Sequence, residues 1–218
     1  ISSIVNATES GTQQETTTIV DDDDAPTVTL SVDSATIAEA AGVATFTATL
    51  DAVSGLPVTV NLAVSGTAVS ATDYNASGLT ISIPAGSLTG TITVTAVADA
   101  IDENDETVVV DISSVVNATE SGAQQQTTTI ADDDAAPVVT LSIDSATIAE
   151  AAGVATFAAT LDAVSGLPVT VNLAVSGTAV SATDYNASGL SISIPAGSLT
   201  GSITVTAVTD ATDENDET

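Results

Sequence analysis

The chain has 218 residues, of which 29 are Asp or Glu and none is Lys, Arg or His, giving a formal net charge of -29. That balance excludes nucleic acid and anionic membrane surfaces as partners, because both require positive charge on the protein. Hydrophobic residues make up 44% and aromatics 2%, so the apolar content is aliphatic and ample for packed cores, unlike a disordered acidic tail.

The β-branched Val, Ile and Thr dominate, which favours strands over helices. Cys is absent, so no disulfide staples the fold. No run of about 18 apolar residues is present, so no helical membrane span is expected. Without His or Cys, sites for Zn²⁺, Cu²⁺ or iron–sulfur clusters are not expected either.

A shift of 111 residues lays the chain on itself, and of 107 aligned pairs only 12 differ. The differences, such as Val32/Ile143, Thr47/Ala158 and Thr80/Ser191, are small swaps that suit a strand or loop. A period this long matches a whole domain and not one solenoid turn. Three segments are therefore expected: residues 1–24 as the C-terminal strands (end of F, and G) of a preceding repeat, 25–135 as a complete repeat, and 136–218 as a following repeat without its last strands. The chain opens on ISSIVNATES, placed within a strand, and is four residues short of two periods. It is read as a window of a longer array. The alternative is that the N-terminal strands of one copy complete the C-terminal unit of another by strand addition.

Within the complete repeat, period-2 alternation picks out seven strands. Strand A is PTVTLSV, with Val28, Leu30 and Val32 inward, and Thr36 to Glu39 continue it beyond a bend at Asp33-Ser34. Strand B is GVATFTATL, with Ala44, Phe46, Ala48 and Leu50 on one face. Strand C is PVTVNLAV, with Val58, Val60, Leu62 and Val64 inward. Strand D is LTISI, presenting Leu79, Ile81 and Ile83. Strand E is GTITVTAV, presenting Ile92, Val94 and Ala96. Strand F is ETVVVDIS, presenting Val108, Val110 and Ile112, and strand G is QQTTTIA. Seven strands with one apolar face each and no helical pattern predict an all-β fold of tandem immunoglobulin-like antiparallel sandwiches.

If the strands run alternately up and down, the A–B, C–D and E–F connections and the end of G share one pole. Those places carry Glu39; Asp73; Asp99, Asp102, Glu103, Asp105 and Glu106; and Asp132, Asp133 and Asp134. The opposite pole holds little acid beyond Asp51 and Glu120. Adjacent like charges oppose folding unless a cation sits among them, and this chain has no cationic side chain to offer. A hard-cation site follows, and Ca²⁺ suits it best because it takes 6–8 oxygens in flexible geometry. The plain alternative is a solvated charge run at a domain junction.

The combination of Glu39 in TIAEAAG, Asp73-Tyr74 in GTAVSATDY, PAGSLTGTITV from Pro84 to Val94, Glu103 and Glu106 in DAIDENDET, and Asp132 to Asp134 resembles the Calx-β family. The resemblance covers the whole 111-residue unit. It implies sandwich domains that bind several Ca²⁺ ions, with Glu39, Asp73, Asp99, Glu103, Glu106, Asp132, Asp133 and Asp134 as ligands. Where that family often has paired Asp, this chain has Ala98-Asp99 and Thr209-Asp210, so Asp102 is a substitute candidate. The matching acids of the neighbouring copies are Asp21, Asp22 and Asp23 on one side. On the other they are Glu150, Asp184, Asp210, Asp213, Glu214 and Glu217.

Four N-glycosylation sequons, at Asn6, Asn75, Asn117 and Asn186, fit chance in a chain rich in Asn, Ser and Thr. A two-carboxylate glycosidase built on Asp102 and Glu106 is disfavoured, because no aromatic platform for a sugar accompanies the acids. The reading is non-catalytic: a calcium-stiffened structural repeat array of an extracellular or cell-surface stalk, adhesin or filament. Its partners would be neighbouring identical repeats end to end, with other copies joined by strand complementation or lateral filament contacts. The rival readings are a calcium-sensing regulatory domain and a surface ligand-binding module.

Overall fold

A computed structural model describes residues 1–211 and 215–218. The first unit contains β1 (Thr27–Val32), β2 (Thr36–Ala38), β3 (Val43–Leu50), β4 (Val58–Gly66), β5 (Tyr74–Ala76), β6 (Thr80–Ile83), β7 (Thr89–Ala96), β8 (Glu106–Val116), β9 (Thr119–Glu120) and β10 (Gln125–Ala131). They form two five-stranded sheets, in the orders β5-β7-β3-β1-β9 and β2-β10-β8-β4-β6. All seven expected strands are present, and the described residues contain no helix.

The alternation of the sequence becomes burial directly. Val28, Ala44, Phe46, Ala48, Val58, Val60, Ile81, Ile83, Val94, Val108 and Val110 have no measurable exposure. Their Thr and Ser neighbours face outward. Each fully buried Val or Ile contributes about 1.5–3 kcal/mol, and with Phe46 and Tyr74 as the rings this aliphatic layer is what holds the sheets together. Leu79 departs from the expected pattern, being 55% exposed. It follows Gly78, where the chain crosses from the sheet of β5 to the sheet of β6, and it precedes the first paired residue of β6.

Most pairings are antiparallel, but β1 pairs β9 and β2 pairs β10 in parallel. The bend at Asp33-Ser34 separates β1 from β2. It lets one sequence segment leave the β3 edge as β1 and join the β10 edge as β2. Asp33 fixes the bend by accepting from Thr45 N at 2.8 Å.

The second unit contains β11 (Val139–Ile143), β12 (Val154–Leu161), β13 (Val169–Asn172), β14 (Tyr185–Ala187), β15 (Ser191–Ile194) and β16 (Thr200–Ala207). They form a four-stranded sheet, β11-β12-β16-β14, and a two-stranded sheet, β13-β15. Residues 1–24 are all exposed and form no strand. They contain a turn in which Gln13 N donates to Glu9 Oε1 at 2.7 Å, as Gln124 N donates to Glu120 Oε1 at 2.6 Å in the β9–β10 connection.

Candidate metal centre

The acidic pole is assembled from four separate stretches, each tied down by backbone bonds. Parallel pairing of β2 with β10 brings Glu39 beside the terminal acid run, and Glu39 N donates to Ala131 O at 3.0 Å. The chain then reverses through Ala41, which has a φ of 61°, and Gly42, whose N donates to Ala38 O at 2.9 Å. A Cβ at Gly42 would lie 2.4 Å from Ala38 O, so only glycine permits this turn. Asp73 closes its own loop: its N donates to Val69 O, and its Oδ2 accepts from Val69 N. Val97 N then donates to Asp73 O at 2.9 Å, which holds Asp73 against the end of β7. Glu106 opens β8, directly opposite Ile130 of β10.

Two carboxylate clusters result. In one, oxygens of Glu39, Asp133 and Asp134 lie within 4.8 Å of one another, and in the other so do those of Asp73, Glu103 and Glu106. A small cleft between them is lined by Glu39, Asp73, Asp99, Glu103, Glu106 and Asp132, with Val97 and Ile130 at its base. Asp99 N donates to Glu39 Oε1 at 2.9 Å, and its own Oδ1 accepts from Ile101 N at 2.8 Å. Asp132 Oδ1 and Asp134 Oδ2 are buried without a hydrogen-bond partner. An orphaned, buried carboxylate oxygen is costly, and in this chain no side-chain cation exists to relieve it.

The protonation equilibria record the same strain. Burial first, then a hydrogen bond and the charge of Asp73, push the Glu106 carboxyl up to about 7. Burial raises Glu39, Glu103 and Asp134 as well, reinforced by neighbouring carboxylates. Asp51, at the other pole, is displaced the opposite way by hydrogen bonds from Thr27. Acids at one pole are held in a site that disfavours their own charge, and an exposed acid at the other is not.

Asp102 faces elsewhere. Its O accepts from Gly166 N at 3.0 Å, and its Oδ2 accepts from Ser165 Oγ at 3.3 Å, in a parallel bridge to the second unit. The neighbouring Glu103 packs on Gly166, where a Cβ would lie 2.6 Å from Glu103 Oε1. One loop therefore supplies Glu103 to a carboxylate cluster and Asp102 to the junction. Two residues of this pole were not among the sequence-selected ligands. Asn104 lines the cleft, and Asp105 Oδ1 accepts from Asp132 N at 3.1 Å, anchoring the terminal run. Their signal was their place inside the ENDE stretch.

The second unit repeats parts of this geometry. Asp210 N donates to Glu150 Oε1 at 3.1 Å, and Asp184 Oδ2 accepts from Val180 N. Glu150, Asp184, Asp210 and Glu217 line one open groove, but no three of the described acids there converge as in the first unit. Asp213 and Glu214 lie outside the described residues. Asp21, Asp22 and Asp23 are exposed ahead of β1 and join neither cluster.

Fold and site together define a tandem β-sandwich protein with an acidic pole where its complete repeat meets the next. The Calx-beta domain model matches residues 21–134 and again 132–218, and the chain belongs to that family. Among solved structures it is similar to the apo-form Calx CBD1 domain, at 19% identity and a TM-score of 0.43, over 50% of this chain and 99% of that one. It is also similar to CBD12 from CALX1.2, at 20% identity and a TM-score of 0.42, over 79% of this chain and 72% of that one. The calcium binding domain CBD12 of CALX1.1 matches at 18% identity and a TM-score of 0.42, over 81% and 73%. A search of curated proteins gives no match.

Proposed function

We propose that this chain is a non-catalytic, Ca²⁺-binding structural array of an extracellular or cell-surface stalk, adhesin or filament, stiffened at its repeat junctions by the bound ions. The observation that carries this reading is the E–F loop, Asp99 to Glu106. It brings Glu103 and Glu106 into a carboxylate cluster while Asp102 bonds to Ser165 and Gly166 of the next unit. The donors are carboxylate oxygens alone, which select a hard cation, and Ca²⁺ takes 6–8 such oxygens in flexible geometry whereas Mg²⁺ demands a near-ideal octahedron. An ion held by Asp73, Glu103 and Glu106 would fix the loop on which the next unit rests. Several ions per repeat fit two clusters, with Asp99 and Asp132 between them.

Near-identical copies favour this reading over a sensor, which would need a distinct partner surface. Each Ca²⁺ site at 100-fold excess over its dissociation constant adds about 2.7 kcal/mol of stability. At 4–8 °C per kcal/mol for a small domain, chelation should lower the melting temperature by more than about 10 °C. Small-angle scattering on chains of two, three and four repeats supplies the mechanical test. In millimolar calcium the length should grow by roughly 40 Å per repeat, from strands of about ten residues plus loops, and in chelator the chain should become flexible. A flexible chain in calcium would refute the stalk and favour independent sensing domains.

A further inference from the structure

The run of three aspartates that closes the complete unit has no ladder of its own. β10 ends at Ala131, its last rung on β8 pairs Ile130 with Glu106, and residues 132–138 lie outside any strand. A short segment of adjacent like charges tends to splay, because its carboxylates repel one another. Yet Asp133 and Asp134 converge with Glu39, with carboxylate oxygens of all three within 4.8 Å of one another. The backbone that carries them must therefore be held.

One peptide group takes that hold. The C=O of Ala131 and the N–H of Asp132 belong to the same planar unit and point to opposite sides of the chain. On one side Ala131 O accepts from Glu39 N at 3.0 Å. On the other, Asp132 N donates to Asp105 Oδ1 at 3.1 Å. Gripped at both ends, the plane sets the direction in which the next aspartates leave. Each grip comes from a different cluster. Glu39 belongs to the one with Asp133 and Asp134, whereas Asp105 lies between Asn104, which lines the cleft, and Glu106 of the other. Asp105 itself is exposed and belongs to neither cluster. It takes only the main chain and leaves the Asp132 carboxylate unspent: Asp132 Oδ1, like Asp134 Oδ2, is buried without a hydrogen-bond partner.

We propose that Asp105 is a positioning residue and not a calcium ligand: it holds the peptide between Ala131 and Asp132 so that the run Asp132 to Asp134 is ordered before an ion arrives, and it couples the two clusters. Ordering in advance lowers the entropy lost on binding. An ion at Asp73, Glu103 and Glu106 fixes the loop that carries Asp105, and Asp105 in turn fixes the run that completes the cluster of Glu39, Asp133 and Asp134. The first ion then meets part of the ordering cost of the second, which is positive cooperativity. The positioning stands by itself, while the coupling rests on the calcium reading above. The task needs an acceptor oxygen and not a charge, and the side-chain carbonyl of Asn supplies one as well.

The test compares Asp105→Asn, which keeps the acceptor, with Asp105→Ala, which removes it. Asp105 is exposed, so neither change disturbs the core. Amide hydrogen exchange in chelator reads the positioning without any ion. The Asp132 amide should exchange about tenfold faster in Asp105→Ala, as for the loss of a bond to a charged group. In Asp105→Asn it should stay close to the unsubstituted rate, with the β8 amides protected in both variants. Calcium titration by calorimetry reads the coupling: binding should be steep in the unsubstituted protein and in Asp105→Asn, and shallow in Asp105→Ala. An unchanged Asp132 rate in Asp105→Ala overturns the positioning. Equal effects of the two substitutions overturn it too, because charge or ligation would then be what Asp105 supplies. Binding that stays steep in Asp105→Ala overturns the coupling. Faster exchange in Asp105→Ala, with no calcium bound by any of the three proteins, supports the positioning and refutes the calcium reading, so the two fail separately.

Discussion

Asp102 and Ser165, 63 residues apart, form a parallel backbone bridge between the two repeats, and Ser165 is 1% exposed there. Its counterpart Ser54 is 8% exposed, and Gly55 has open space where Gly166 meets Glu103. Gly166→Ala should therefore push Glu103 aside, and overpacking of this kind typically costs about 1–3 kcal/mol. We expect it to weaken calcium binding in the first unit, while Gly55→Ala leaves binding unchanged. Isothermal titration calorimetry of both variants checks this; equal affinities would mean that the junction and the cluster are independent.

Charge and place within the pole separate in a second comparison. Asp133→Asn or Glu106→Gln should reduce calcium affinity about tenfold, since a charge-assisted bond is worth about 1.5–3 kcal/mol. Asp51→Asn should leave affinity unchanged. Asp51 instead accepts from Thr27 N and Oγ1, both at 2.7 Å, and pins the start of β1. Its loss should appear in the melting curve without calcium dependence. Equal affinity losses from all three variants would show that bulk charge is being measured.

The third expectation concerns pH. Glu106 is raised in the folded state from 4.5 to about 7, chiefly by burial, and Glu39, Glu103 and Asp134 move the same way. A raised folded value means that the folded state binds protons more tightly than the unfolded one. Its stabilising contribution is then full below about 4.5 and is lost as pH rises through about 7. The ion-free protein should lose stability across that window. If calcium binds these carboxylates in place of the protons, the gap between melting temperatures in calcium and in chelator should widen from pH 5 to pH 8. A constant gap would remove the cluster acids as ligands.

The period of 111 residues and the period-2 faces made the sandwich legible, because apolar side chains at alternate positions can be satisfied only by one buried face. The convergence of acids was legible for a related reason: strand direction alone assigns loops to poles. Two short strands were not. Tyr74–Ala76 reads as a polar loop in the sequence, and it becomes β5 because Val97 and Ser77 bond back across β7. Thr119–Glu120 is a strand only because the start of β1 lies parallel to it, with Thr119 N donating to Pro26 O and Ser121 N to Val28 O. Asp102 illustrates the limit at the site. Its spacing matches that of a ligand, and only the position of Ser165 shows that it is committed to the junction.

The turn at Glu120 to Gln124 also has kinetic consequences. The same bond recurs at Glu9 to Gln13, so the turn is closed by contacts within five residues. Local loops close in about 10–100 ns and hairpins form in about 1–10 μs, long before distant segments meet. In an array of near-identical neighbours, each final strand could pair with the wrong repeat during folding. A turn that forms first commits the two strands flanking it to each other, and so protects each repeat from tangling with the next.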